Sequence, residues 1–281
     1  MKVGLLLEGG AMRGIYTAGV LDVMMRQKIK VNGIVAVSAG ALFGVNYPSH
    51  QIGRTLRYNL KYLNHPQYMG LSSLLKTGNI VNKDFAYYEV PFRLDPFDQK
   101  AFYQSGVDFY ATVTNLYSGK AEYIKITHPL NQMEVLRASS AMPLVSQIVD
   151  INGMPYLDGG IADSIPIKKI LSMGYDKVIV VLTQPKGYRK ETTSSRLYEM
   201  IYRGYPNFVA TWKQRSRNYN QSLDLVNNLE EEGKVFVIQP SKKMRIGRLE
   251  KNAQALTAMY QLGVNDATTK SESLKQYLFK N

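Results

Sequence analysis

The chain has no cysteine and only three histidines, His50, His65 and His128. The first absence excludes disulfides, thiolate metal sites and a thiol nucleophile. The second narrows acid–base chemistry, because an α/β-hydrolase order of serine, acid and histidine needs a histidine late in the chain, and none follows His128. No uninterrupted apolar run approaches the roughly 18 residues of a spanning helix. The apolar start is broken at Glu8 and Arg13 before it reaches the length of a signal-peptide core. The expectation is a cytoplasmic protein that touches membranes, if at all, from outside the bilayer. Acidic residues are also scarce: 22 Asp and Glu stand against 35 Lys and Arg, a formal charge of +13. That balance points to anionic partners, nucleic acid or an acidic membrane surface, or to a merely solvated basic face. No nucleic-acid motif accompanies the charge, so nucleic acid is not expected.

What is present suits one α/β domain, since 45% hydrophobic content over 281 residues supplies a sizeable core. Residues 2–8 read as a buried strand. A helix from Ile15 to Gln27 follows, with Tyr16, Val20, Val23 and Met24 on one face and Asp22 and Arg26 on another. A second strand at 33–38 completes a βαβ unit, and Ala39–Val45 opens the next helix. The mixed stretch 53–97 reads as a helix and then a loop over the active-site face. A hairpin is expected at 107–127, a short helix at 133–140 stopped by Pro143, and a strand at 154–161 that delivers Asp158 into a Gly-Gly turn. Helix 166–173 and strand 177–183 continue the alternation. From 185 to 232 the chain turns basic and aromatic, with Arg189, Lys190, Arg203 and Arg215 around Tyr198, Tyr202, Phe208 and Trp212, and reads as a helical insertion. Strand 234–239 and a helix at 249–262, ended by Gly263, return to the core. The expected organisation is a single domain over 1–281: a core at about 3–185, the insertion at 185–232, and a C-terminal strand and helices at 234–281.

Two stretches carry chemistry. Ala36-Val37-Ser38-Ala39-Gly40 places a serine among small residues at a strand-to-helix turn, the arrangement of a nucleophile elbow. Alone, it is equally satisfied by a buried packing turn. Gly9-Gly10-Ala11-Met12-Arg13-Gly14 opens a helix, so its N–H groups can converge on a negative oxygen. A nucleotide loop is the competing reading, but Ile15-Tyr16 stands where Lys and Ser/Thr are required, and G-x-G-x-x-G is not met. A serine hydroxyl needs a base. The histidines read as surface or packing residues, which leaves Asp158; Asp163 better suits a turn aspartate bonding its own backbone.

Together the glycine loop, the serine pentapeptide and Asp158-Gly159-Gly160 resemble the patatin-like phospholipase family, most closely its bacterial members, over about residues 3–185. Arg137–Pro143 looks like a further block of that family. The resemblance implies a three-layer α/β/α fold with a mainly parallel sheet. It implies hydrolysis of acyl esters of phospholipids, lysophospholipids or related lipids through an acyl-serine, with no metal and no cofactor. Ser38 would attack, Asp158 would take the proton, and Gly9, Gly10 and Ala11 would hold the oxyanion. Arg13 would support the loop or meet a substrate phosphate, with Gly14, Gly40 and Gly159 in supporting positions. Ala11 and Ala36 depart from the family pattern, each adding a methyl group where glycine is common. The alternative is a patatin-fold protein of little activity that binds membrane surfaces or regulates. In either case the basic aromatic segment and the run Lys242–Arg248 would offer an anionic membrane their charge, at about 1 kcal/mol per Lys or Arg.

Overall fold

Residues 1–279 are described by the computed structural model, and positions 280 and 281 of the expected C-terminal unit lie outside the described residues. β1 (Val3–Leu7) passes through the glycine loop and a 3-10 turn (Ala11–Gly14) into α1 (Ile15–Arg26), β2 (Gly33–Val37) and α2 (Ala39–Gly44). Three helical segments follow where one helix and a loop were expected: α3 (Arg54–Tyr62), α4 (Leu71–Thr77) and a π-helical stretch (Lys83–Leu94). Several short helices, each with its own buried face, leave no single periodicity to read. Next come α5 (Gln99–Gln104), the hairpin β3 (Asp108–Asn115) and β4 (Ala121–Ile126), and α6 (Met133–Ser140). β5 (Val149–Ile151), β6 (Met154–Asp158), a 3-10 turn (Gly159–Ile161), α7 (Ile167–Leu171) and β7 (Lys177–Val181) follow. The chain continues through α8 (Arg196–Ile201), α9 (Pro206–Glu231), β8 (Val235–Ile238), α10 (Ala253–Thr269) and α11 (Ser271–Phe279).

One sheet runs in the order β5-β6-β3-β2-β1-β7-β8, with β4 added on β3. The β3-β2-β1-β7-β8 part is parallel, and β4, β5 and β6 pair antiparallel. Every residue of β1 and β2 is buried, as strands covered on both faces require. Alternation divides the layers: Leu5 and Leu7 join one core with Ile34, Phe109 and helices α1, α6 and α10. Leu6 joins another with Val35, Val180, α7 and α9. This is the expected three-layer α/β/α architecture.

One local expectation needs correction. α10 runs straight through Gly263, whose missing side chain serves packing: a Cβ there would lie 2.1 Å from the Tyr16 carbonyl oxygen, and one at Gly19 would lie 2.3 Å from that of Tyr260. The pair of glycines lets α1 and α10 touch backbone to backbone. Asp22, set apart from the apolar face in the sequence, is buried beneath that contact, accepting from the Tyr260 hydroxyl at 2.6 Å and the Gly53 N–H at 2.8 Å.

Candidate active site

Ser38 follows β2 with φ 55° and ψ −124°, a left-handed conformation that costs a non-glycine residue about 1–3 kcal/mol. Small neighbours permit it. A Cβ on Gly40 would come within 2.8 Å of the Leu7 and Glu8 carbonyl oxygens, and one on Gly9 within 2.9 Å of the Ser38 Cβ. The Ala36 methyl, by contrast, is accommodated wholly within the core.

Register explains how Asp158 reaches Ser38 across 120 positions of sequence. β4 occupies one edge of β3 along its length, so β2 and β6 share the other, β2 ending at Val37 opposite Thr112 and β6 at Asp158 opposite Val113. The two strands therefore meet end to end. Ser38 Oγ donates to Asp158 Oδ2 at 2.7 Å, and Gly160 N–H donates to Oδ1 at 2.7 Å. Asp158 thus makes both a turn bond to its own backbone and the bond to serine, while Asp163 accepts from the Tyr123 hydroxyl and from the backbone of Ile165. Ser139 bolts the junction: its hydroxyl donates to the Thr112 carbonyl at 2.7 Å and accepts the Ser38 N–H at 3.0 Å. Gly159 is obligatory there, since a Cβ would fall 2.2 Å from the Thr112 oxygen. Burial pushes the Asp158 carboxyl above the usual carboxylate range; the bonds from Ser38 and Gly160 and the charges of Arg215 and Lys190 oppose it.

The glycine loop is anchored by a residue that the sequence reading left without a role. Glu8 ends β1 fully buried, and its carboxylate accepts from Thr183 N–H at 2.6 Å, Thr183 Oγ at 3.0 Å and the Tyr219 hydroxyl at 2.6 Å. A charge closing an apolar strand is itself the signal, because such a group must find partners. Ala11 is held at φ 50°, and Arg13 N–H closes the turn on the Gly10 carbonyl at 3.1 Å. Among the described residues the N–H groups of Gly9, Gly10 and Ala11 donate to no protein acceptor. A row of free donors beside Ser38 is what a developing oxyanion requires.

Ser38 lies where two cavities meet. One, of about 140 Å³, is largely apolar and is lined by Leu42, Tyr58, Tyr87, Val90, Pro91 and Leu136 among others. It is built from α2, α3, α6 and the π-helical stretch, so the segment 53–97 does cover the active-site face. The other, of about 290 Å³, is the more polar of the two and basic, with Gly9, Gly10, Asp158, Arg13, Lys190, Arg215 and Arg248 in its wall. No histidine lines either. His50 and His128 are exposed, and His65 stacks on Phe85. Among the described residues no group of three His, Cys, Asp or Glu side chains is placed to hold a metal ion.

The basic aromatic segment is corrected most. Tyr202, Phe208 and Trp212 are buried rather than offered to a surface. Arg215, on α9, reaches inward to donate from Nε to the Gly160 carbonyl at 2.7 Å, and Tyr219 holds Glu8. The 242–248 run likewise folds inward at its end, where Ile246 is buried and the Arg248 carbonyl accepts the Met12 N–H at 3.5 Å.

The chain is 26% identical over 278 residues to the Escherichia coli protein YjjU, named as uncharacterized, covering 93% of this chain and 75% of that one. It is 25% identical over 190 residues to the lysophospholipase NTE1 of Cryptococcus neoformans, covering 64% of this chain but 11% of that much longer protein. Among solved structures, VipD from Legionella pneumophila aligns over 95% of this chain and 67% of its own, at 14% identity and a TM-score of 0.43. Residues 205–279 match a domain of unknown function, DUF6363. Residues 5–171, more than half of the chain, match the patatin-like phospholipases, and the protein belongs to that family.

Proposed function

We propose that the protein is a serine acyl hydrolase that cleaves carboxylic esters of phospholipids, lysophospholipids or related lipids with a Ser38–Asp158 dyad. The observation that carries this reading is the 2.7 Å bond from Ser38 Oγ to Asp158 Oδ2 at the junction of an apolar and a polar cavity. Ser38 Oγ attacks the ester carbonyl carbon as its proton passes to Asp158. The carbonyl oxygen becomes an oxyanion facing the N–H groups of Gly9, Gly10 and Ala11. Collapse breaks the carbon–oxygen bond to the alcohol, which leaves with the proton from Asp158 and an acyl-serine behind. Water then attacks the acyl carbon, Asp158 takes its proton and returns it to Ser38 Oγ, and the fatty acid departs. A carboxylate is a weak base for a hydroxyl, but a buried one of raised pKa is a stronger base than one in water.

Ser38→Ala is expected to abolish both hydrolysis of a short aryl ester and covalent labelling by a fluorophosphonate, mapped by mass spectrometry to the peptide holding Ser38. Undiminished hydrolysis by that variant would remove the assignment. Flotation with anionic vesicles and no adduct on the wild-type protein would mark the membrane-binding alternative instead.

A further inference from the structure

The polar cavity beside Ser38 carries four cationic side chains, Arg13, Lys190, Arg215 and Arg248, against two carboxylates, Glu8 and Asp158. Both carboxylates are already engaged, Glu8 by Thr183 and Tyr219 and Asp158 by Ser38 and Gly160. Among the described residues none of the four cations is in an ion pair; every such pair lies elsewhere on the molecule. Two buried donors of lining residues, Arg13 Nε and Trp212 Nε1, have no hydrogen-bond partner. Burial and the neighbouring Arg215 push the Lys190 ammonium down to about 7, a penalty that an incoming anion would relieve. The cavity thus holds three arginines, a lysine near half-charge at neutral pH and two unpartnered buried donors, an excess of cationic and donor groups over free carboxylates.

That imbalance discriminates among lipid head groups. A phosphocholine brings its own cation into a cationic site. A phosphodiester offers a single charge. A phosphomonoester carries about −1.5 to −2 and three strong acceptor oxygens, which answer the excess of cationic and donor groups and suit arginine forks. We propose that this cavity binds the phosphomonoester head group of an acyl glycerol phosphate, setting its ester at Ser38 and its acyl chain in the apolar chamber. Lys190, Arg215 and Arg248 all lie beyond residue 171, where the family match ends. The selectivity therefore belongs to the part of the chain that packs onto the patatin-like portion. What happens after binding rests on the hydrolase reading, but the binding itself does not.

The test is equilibrium binding to the Ser38→Ala protein, which retains the cavity and lacks the nucleophile. The ligands are oleoyl glycerol phosphate, oleoyl glycerophosphocholine and glycerol phosphate, each below its micellar concentration. The phosphomonoester lipid is expected to bind at least tenfold more tightly than the phosphocholine. Lys190→Met and Arg248→Gln should each cut that ratio at least threefold, and Arg248 is exposed, so its replacement leaves the core intact. Equal or reversed affinities, or a ratio unmoved by both variants, would overturn the inference. Glycerol phosphate binding as tightly as its oleoyl ester would also overturn it, by assigning the cavity to a soluble phosphate compound. The hydrolase reading fails separately, through a wild-type protein without a fluorophosphonate adduct, and the binding ratios keep their meaning in that case.

Discussion

Asp158 is where chemistry and stability conflict at the scale of one residue. Its burial favours the neutral carboxyl, yet only the carboxylate can take the Ser38 proton. The native state therefore binds this proton more readily than the unfolded chain does. Stability from this group is gained as pH falls through the raised folded pKa toward the unfolded value of about 4, and is withheld above it. Asp158→Asn, which can still bond to Ser38 and Gly160, should lower kcat by at least about 100-fold. At neutral pH it should melt no lower than the wild type, with any advantage shrinking as the melts are repeated toward acid. The kcat/KM profile should fall on its acid side above the ordinary carboxylate range. Arg215→Gln, by removing a charge that favours the ionised form, should move that limb upward in a pH–rate measurement. Ala11 makes a different test. Its φ of 50° costs an L-residue about 1–2 kcal/mol, so Ala11→Gly should hold or raise the melting temperature while keeping Ser38 reactive toward fluorophosphonate.

At the scale of elements, the contact between α1 and α10 depends on two absent side chains. Gly263→Ala puts a carbon 2.1 Å from the Tyr16 oxygen, and should destabilise the fold by about 1–3 kcal/mol in urea unfolding. The sequence presented Gly263 as a helix stop because both uses of glycine look alike until the neighbouring helix is placed. Strands β1, β2, β7 and β8 were legible, because buried parallel strands read as short apolar runs between turn signals. Ser38 and Asp158 were legible for a related reason: each sits at a strand end next to glycines that a tight turn demands. Arg215 and Tyr219 were not, although they touch the same site. On α9 they occur among solvated Lys and Arg, and nothing in composition distinguishes an inward arginine from an outward one. Glu8 stood out as a charge closing an apolar strand, but its partners Thr183 and Tyr219 come from elements far along the chain, so its anchoring role did not.

For the whole molecule, the proposed lipid substrate raises the question of how an acyl ester reaches cavities whose walls are largely buried. Five large apolar side chains remain exposed on two short helices, Leu71 and Leu75 on α4 and Leu197, Met200 and Ile201 on α8. The loop 142–147 links the two neighbourhoods. Val145 accepts the Ile80 N–H just beyond α4, and Leu144 N–H donates to the hydroxyl of Tyr202 at the end of α8. That loop also contributes Met142, Pro143, Leu144 and Val145 to the second cavity, so it joins the surroundings of both helices to that cavity. A net charge of +13 supplies attraction to an anionic surface, and inserting a leucine from water adds about 1.5–3 kcal/mol. Leu75→Glu removes that gain and adds repulsion. It should weaken flotation with anionic vesicles by at least about tenfold, and Met200→Glu should do the same from the other side of the loop. Neither residue lines a cavity, so hydrolysis of a soluble aryl ester should persist in both variants. Vesicle binding that survives both changes, yet disappears in high salt, would place the contact on the basic surface alone and leave α4 and α8 out of it.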